Sequence, residues 1–119
     1  MILLTKQPPM ITRFALFEGH IHTGQTQAFR AAILREVLPH WQSFPDVLAV
    51  SVCFENERDE DAPEMPLILA ISYPTRAAVD TALASPQRAA AKAATEDVLE
   101  RYFTGRVHHH ITQAVERVG

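Results

Sequence analysis

One cysteine, one tryptophan and four glycines in 119 residues are all this sequence has of those types, and each scarcity excludes something. A lone Cys53 forms neither an intrachain disulfide nor a cysteine-built zinc site, so stability has to come from an ordinary packed core. No apolar run approaches the ~20 residues of a membrane-spanning helix, and the opening Ile2-Leu3-Leu4 is too short for a secretory signal. The expectation is a cytoplasmic protein with no membrane partner. Charge of one sign is lacking too. Eleven Lys and Arg against fourteen Asp and Glu leave a net charge of -3, which offers no electrostatic footprint for nucleic acid. A phosphate-cradling glycine loop, a dinucleotide fingerprint and a Gly-x-Ser-x-Gly elbow are all missing, so no cofactor is expected.

What is present is a chain with 47% hydrophobic residues, the length of one ordinary domain. Residues 1–9 end in Pro8-Pro9 and are expected to form a flexible arm, with residues 10–119 as the single domain. Residues 11–21 (ITRFALFEGHI) are β-branched and aromatic and predict strand one. Residues 25–38 carry Phe29, Ile33 and Val37 at helical spacing, with Thr23 or Thr26 as N-cap, and Pro39 is expected to end or kink this helix. Asp46 sits in a proline turn leading to strand two, residues 47–55. The run NERDEDAPEMP predicts a solvated hairpin loop before strand three at residues 67–73. Thr75 and the pair Ser85-Pro86 are helix starts, so helix two should be broken into residues 76–84 and 86–103, with Gly105 as its C-cap. In the second piece Arg88, Lys92, Glu96 and Glu100 fall four apart on what reads as a solvated face. Residues 106–118 predict strand four.

This order, strand-helix-strand-strand-helix-strand, leads to an α+β, ferredoxin-like βαββαβ sandwich. Its four-stranded antiparallel sheet has the order 4-1-3-2, with both helices on one face. Strands two and three read VLAVSVCF and LILAIS, near-continuous apolar runs that need cover on both faces. The helices cover one, and the economical cover for the other is a second copy, so a homodimer joined through sheet faces is expected.

Four stretches carry a resemblance: ITRFALFEG, LPHWQSFPDVLAVSV, YPTRAAVDTALASPQRAAAKAAT and GRVHHHIT. Through them the chain resembles the dimeric α/β barrel superfamily, in particular the EthD-like and stress-responsive A/B barrel proteins, over about residues 10 to 115. Relatives often carry glycine at the position of Asp46. The superfamily includes cofactor-independent monooxygenases, muconolactone isomerases, polyketide cyclases, aldoxime dehydratases and haem-handling enzymes. The resemblance therefore implies a fold and a small-molecule pocket between helices and sheet, not a reaction.

Six histidines are the chemical anomaly. His20 and His22 end strand one, and His108 and His110 begin strand four, its expected antiparallel neighbour. Alternation puts Glu18, His20, His108 and His110 on one face if Glu18 lies opposite His108. A carboxylate beside an imidazole fixes a tautomer and raises its basicity, so Glu18, His20 and His108 are the candidate proton-transfer residues. Two further readings stay open: exposed polar residues where strands meet water, and a His-x-His metal site whose spacing selects no metal. His109 has the opposite parity and is expected as a satisfied histidine on a buried dimer face. The candidate ligand contacts are His110, Phe29, Arg13, which needs a partner or a ligand anion if buried, and Trp41, either core or an aromatic platform. Cys53, between Val52 and Phe54, is expected to be an inert buried thiol. The functional expectation is a homodimer that binds a small apolar or aromatic molecule. It is either an enzyme doing proton-transfer chemistry of isomerase, cyclase or cofactor-independent monooxygenase type, or a non-catalytic ligand-binding dimer.

Overall fold

A computed structural model describes residues 10–115; the expected arm at residues 1–9 lies outside them. Its core is an antiparallel sheet of β1 (Met10–Ile21), β2 (Ala49–Phe54), β3 (Leu67–Tyr73) and β4 (Phe103–Ala114) in the order β2-β3-β1-β4, the expected topology. Strand alternation divides this sheet into two chemically distinct faces. Ala15, Phe17 and Ile21 of β1 and Leu67, Leu69, Ile71 and Tyr73 of β3 are buried under the helices. Phe14 and Leu16 of β1, with Ile68 and Ala70 of β3, point the other way and are half-buried, with no helix above them.

The first helical segment departs from expectation at its proline. α1 (Thr26–Ala32) does not end before Pro39; it passes through a π-helical turn, Ile33–Val37, into α2 (Leu38–Gln42). Proline lacks an N–H and crowds the carbonyl four residues back, and a widened turn just upstream relieves both while leaving Pro39 in the first turn of α2. Continuity keeps Phe29, Ile33, Val37 and Trp41 on one buried stripe. Asp46 then takes a left-handed conformation (φ 59°), which glycine adopts freely and aspartate tolerates.

The second helical region is broken as its capping residues predict. Thr75 Oγ accepts the Ala78 N–H at the start of α3 (Arg76–Leu83), and Ser85 Oγ accepts the Arg88 N–H at 3.2 Å at the start of α4 (Pro86–Tyr102). β4 follows α4 without a turn, so Gly105 is not a C-cap; it is a strand residue opposite Gly19. A Cβ on Gly19 would lie 2.3 Å from the Thr104 carbonyl oxygen, and one on Gly105 2.3 Å from that of Glu18. The absence of side chains there lets the two backbones meet beneath the Phe103 ring. Phe103 in turn packs edge-on to Phe17 and stacks on Phe29, with centroids 6.5 and 6.3 Å apart. No helix among the described residues is long and apolar enough to cross a membrane.

Candidate functional site

Parity decides which side chains can meet, and packing decides what they meet. β1 and β4 pair with Leu16 opposite His108, Phe14 opposite His110 and Glu18 opposite Arg106, two residues from the expected Glu18–His108 register. An even shift keeps the parity, so Glu18 and His108 still share a face: Nε2 of His108 lies 3.5 Å from Oε1 of Glu18. The two histidine rings, His108 and His110, meet edge to face at 5.6 Å. Arg106 reaches Glu18 from the other side at 3.7 Å. His20 does not join them; its Nδ1 is 3.0 Å from Glu64 of the acidic loop, and its side chain is 61% exposed. His22 contacts Thr104. Among the described residues no group of three His, Cys, Asp or Glu side chains is placed to hold a metal ion.

The face these residues occupy reverses the expectation. Glu18, His108 and His110 have the parity of Phe14 and Leu16 and lie on the helix-free side of the sheet, whereas His109 points under the helices. It lines a cavity of about 310 Å³ between the sheet and α4. The expected placement of His109 on a dimer face is corrected for a plain reason: alternation sorts residues into two sets but does not say which set the helices cover. The same correction applies to Cys53, which is exposed on the helix-free face beside Ser51, where a buried thiol was expected. Phe29 is also corrected. It is fully buried and stacked on Phe103, a core residue outside the cavity lining.

Arg13 and Trp41, two of the candidate ligand contacts, both line the cavity. The buried indole of Trp41 and the ring of Phe44 close one side, and Ala15, Leu69 and Val107 of the sheet form an apolar floor. The opposite wall comes from α4, where Arg88, Lys92 and Glu96 line the cavity from successive turns. Sequence reasoning missed these three. Their four-residue spacing is the signal of a single helix face, but in an alanine-rich helix that spacing does not say whether the face meets water or a cleft.

The cavity's electrostatics follow from this wall. His109 is exposed as a residue, yet its pKa is lowered from 6.5 to about 4, first by the partial burial of its ring and then by the positive charges of Arg13 and Arg88. It is therefore a neutral imidazole at neutral pH, able to accept a proton or a hydrogen bond at one nitrogen and donate at the other. The Arg13 guanidinium is itself held below its ordinary value by burial and by Arg88, and the Tyr73 hydroxyl is raised by burial.

Comparisons with known proteins bear on this fold. No protein-family model matches the sequence, and no curated protein matches it. Solved structures do. An EthD family protein from Bacillus halodurans C-125 superposes with a TM-score of 0.61 at 16% identity, over 85% of this chain and 96% of that one. A mutant form of SnoaB, a cofactor-independent oxygenase from Streptomyces nogalater, gives 0.61 at 17% identity over 92% and 96%. A dimeric protein of unknown function and ferredoxin-like fold from Bacteroides fragilis NCTC 9343 gives 0.60 at 10% identity over 92% and 98%. With its four-stranded antiparallel sheet in the order β2-β3-β1-β4 and its helices on one face, this chain has the ferredoxin-like fold described for the Bacteroides fragilis protein.

Proposed function

We propose that the chain is a small-molecule-binding homodimer whose helix–sheet cavity holds a mostly apolar, aromatic molecule, and that His109 exchanges a proton with it. The observation that carries this reading is the juxtaposition of a neutral imidazole with cationic side chains beside the apolar floor of the cavity. A proton leaving an acidic C–H or O–H of the ligand passes to an imidazole nitrogen, and the electron pair stays on the ligand as an enolate or phenolate facing Arg13. Returning the proton to a different carbon is an isomerisation; attack by the enolate on a second carbonyl of the ligand is a cyclisation. With dioxygen as co-reactant the same anion starts an oxygenation. A cofactor-independent oxygenase among the proteins of this fold supports the reading. His109 thus takes the role that strand parity alone suggests for His108, because it is His109 that enters the cavity.

Dimerisation belongs to the same proposal. Phe14, Leu16, Ile68 and Ala70 make an apolar patch on the helix-free face, and a protein of this fold is described as dimeric. The Glu18–His108 pair sits at the edge of that patch, where a second copy would enclose it.

The runner-up is a non-catalytic binding dimer, favoured by the solvent-exposed edge of His109. Hydrogen–deuterium exchange at the acidic C–H of 2-tetralone, followed by NMR in D2O, separates the two. Proposed catalysis requires exchange faster with the native protein than in buffer and lost in His109→Gln. Exchange equal in buffer, native protein and variant, alongside saturable quenching of Trp41 by the same compound, would leave only the binding role.

A further inference from the structure

We infer that the ligand of this cavity arrives already negatively charged: an aromatic or apolar monocarboxylate whose carboxylate is held between Arg13 and Arg88. The inference rests on the cavity being the ligand site and goes one step beyond it, to the class of ligand.

The charge distribution is the first ground. The cavity is lined by three permanent cations, Arg13, Arg88 and Lys92, against one carboxylate, Glu96, although the whole chain carries a net charge of -3. The order along α4 gives the cavity two ends. Arg88 sits in the first turn, Lys92 about 6 Å along the axis and Glu96 about 6 Å further, so the positive end lies against Arg13 and His109 and the acidic group stands away from it.

The second ground is what these cations do not do. Arg30, Arg58, Arg76, Arg101 and Arg106 each have a carboxylate or carbonyl partner. Among the described residues, the side chains of Arg13, Arg88 and Lys92 form no hydrogen bond or ion pair; Arg35 has none either, but it is exposed, whereas Arg13 and Arg88 are half-buried. A half-buried guanidinium without an acceptor is costly, and two of them facing one apolar cavity are costlier still. A carboxylate matches the planar fork of arginine with two parallel N–H donors and satisfies both at once. The apolar floor and the Trp41 ring then receive the rest of the molecule.

Such a ligand also changes His109. The charged groups that share its cavity are Arg13 from β1 and Arg88, Lys92 and Glu96 from α4, while His108 and His110 of its own strand act on it from the other face of the sheet. An anion seated on the two arginines offsets their field at the imidazole and so raises its pKa against the second cause of the lowering, while the burial that is the first cause remains. Binding should therefore draw in protons in mildly acidic solution.

Calorimetric titration of the full chain with 2-naphthoate and its neutral isostere 2-naphthamide, with quenching of Trp41 as a second signal, tests this. The naphthoate should bind at least about ten-fold more tightly than the amide. In Arg13→Gln the ratio should fall to within about two-fold, with melting curves confirming that the variant is folded. Titrations at pH 5.5 in two buffers of different ionisation heat should show proton uptake with naphthoate, lost in His109→Gln. If both probes bind and the amide binds as tightly as the acid, the anionic ligand class is overturned while the cavity stands as a ligand site. If neither probe binds or quenches Trp41, the ligand site itself falls, and this inference with it.

Discussion

His109 makes the stability of this protein depend on pH, and the sign and size of the dependence follow from its surroundings. Its pKa falls from 6.5 in the unfolded chain to about 4 in the folded one, so between those values the unfolded chain binds the extra proton. Stability contributed by the neutral imidazole is fully present above pH 6.5, declines as pH falls through the window, and is gone below about 4. The full shift would correspond to ~3.4 kcal/mol at ~1.36 kcal/mol per pH step. Because one edge of the ring is in water, solvent screening reduces this, and ~1–2 kcal/mol is the expected size. For a domain of this length that is roughly 4–12 °C in melting temperature. The assay is a set of thermal melts of native protein and His109→Gln from pH 7.5 to pH 4, at one protein concentration. Other groups titrate in both proteins, so the difference between the two curves isolates this site. Native protein should lose stability relative to the variant by the stated amount on acidification. Parallel curves would refute both the low pKa and the cationic surroundings that cause it.

Three further outcomes are expected. Gly105→Ala forces a methyl group against the Glu18 carbonyl and should cost ~1–3 kcal/mol, seen as a lower urea midpoint; an unchanged midpoint would show that the β1–β4 crossing has slack. Leu16→Glu places a charge on the helix-free face and should give a folded monomer by light scattering where the native chain gives a dimer; a native chain that is already monomeric at micromolar concentration contradicts the sheet-face dimer. Ser85→Ala removes the N-cap side chain of α4 and should destabilise by ~1 kcal/mol in denaturant melts, since the Arg88 N–H loses the Ser85 Oγ and keeps only the Ser85 carbonyl as acceptor.

Much of the architecture is legible in the residues themselves. Thr75 and Ser85-Pro86 mark the starts of α3 and α4 because capping is a local event between a side chain and an amide three residues on. Strand order follows from the element order and short-connection rules, and the pairing of Glu18 with His108 on one face survives a register shift of two because side chains repeat every two residues. Pro39 misleads because a proline's local effect is the same whether a helix stops or widens; the buried stripe from Phe29 to Trp41 makes widening the better solution.

By itself, then, the sequence determined which residues of one segment share a face: Glu18 with His20, His108 with His110, Arg88 with Lys92 and Glu96. Those groupings depend only on backbone period, a property each segment carries before it packs, whereas Arg13 meets His109 and Glu18 meets His108 through the register of β1 with β4. Which grouping would line a cavity was decided only in three dimensions. That choice depends on the side of the sheet the crossover helices occupy, and on whether an alanine-rich helix lies close to the strands along its charged face or its small one. Right-handed crossovers and the summed packing of Phe17, Phe29, Tyr73 and Val98 place the helices over the Arg13–His109 face. The charged row of α4 thereby lines one wall of an open cleft through Arg88, Lys92 and Glu96, while Lys92 and Glu96 stay exposed to solvent.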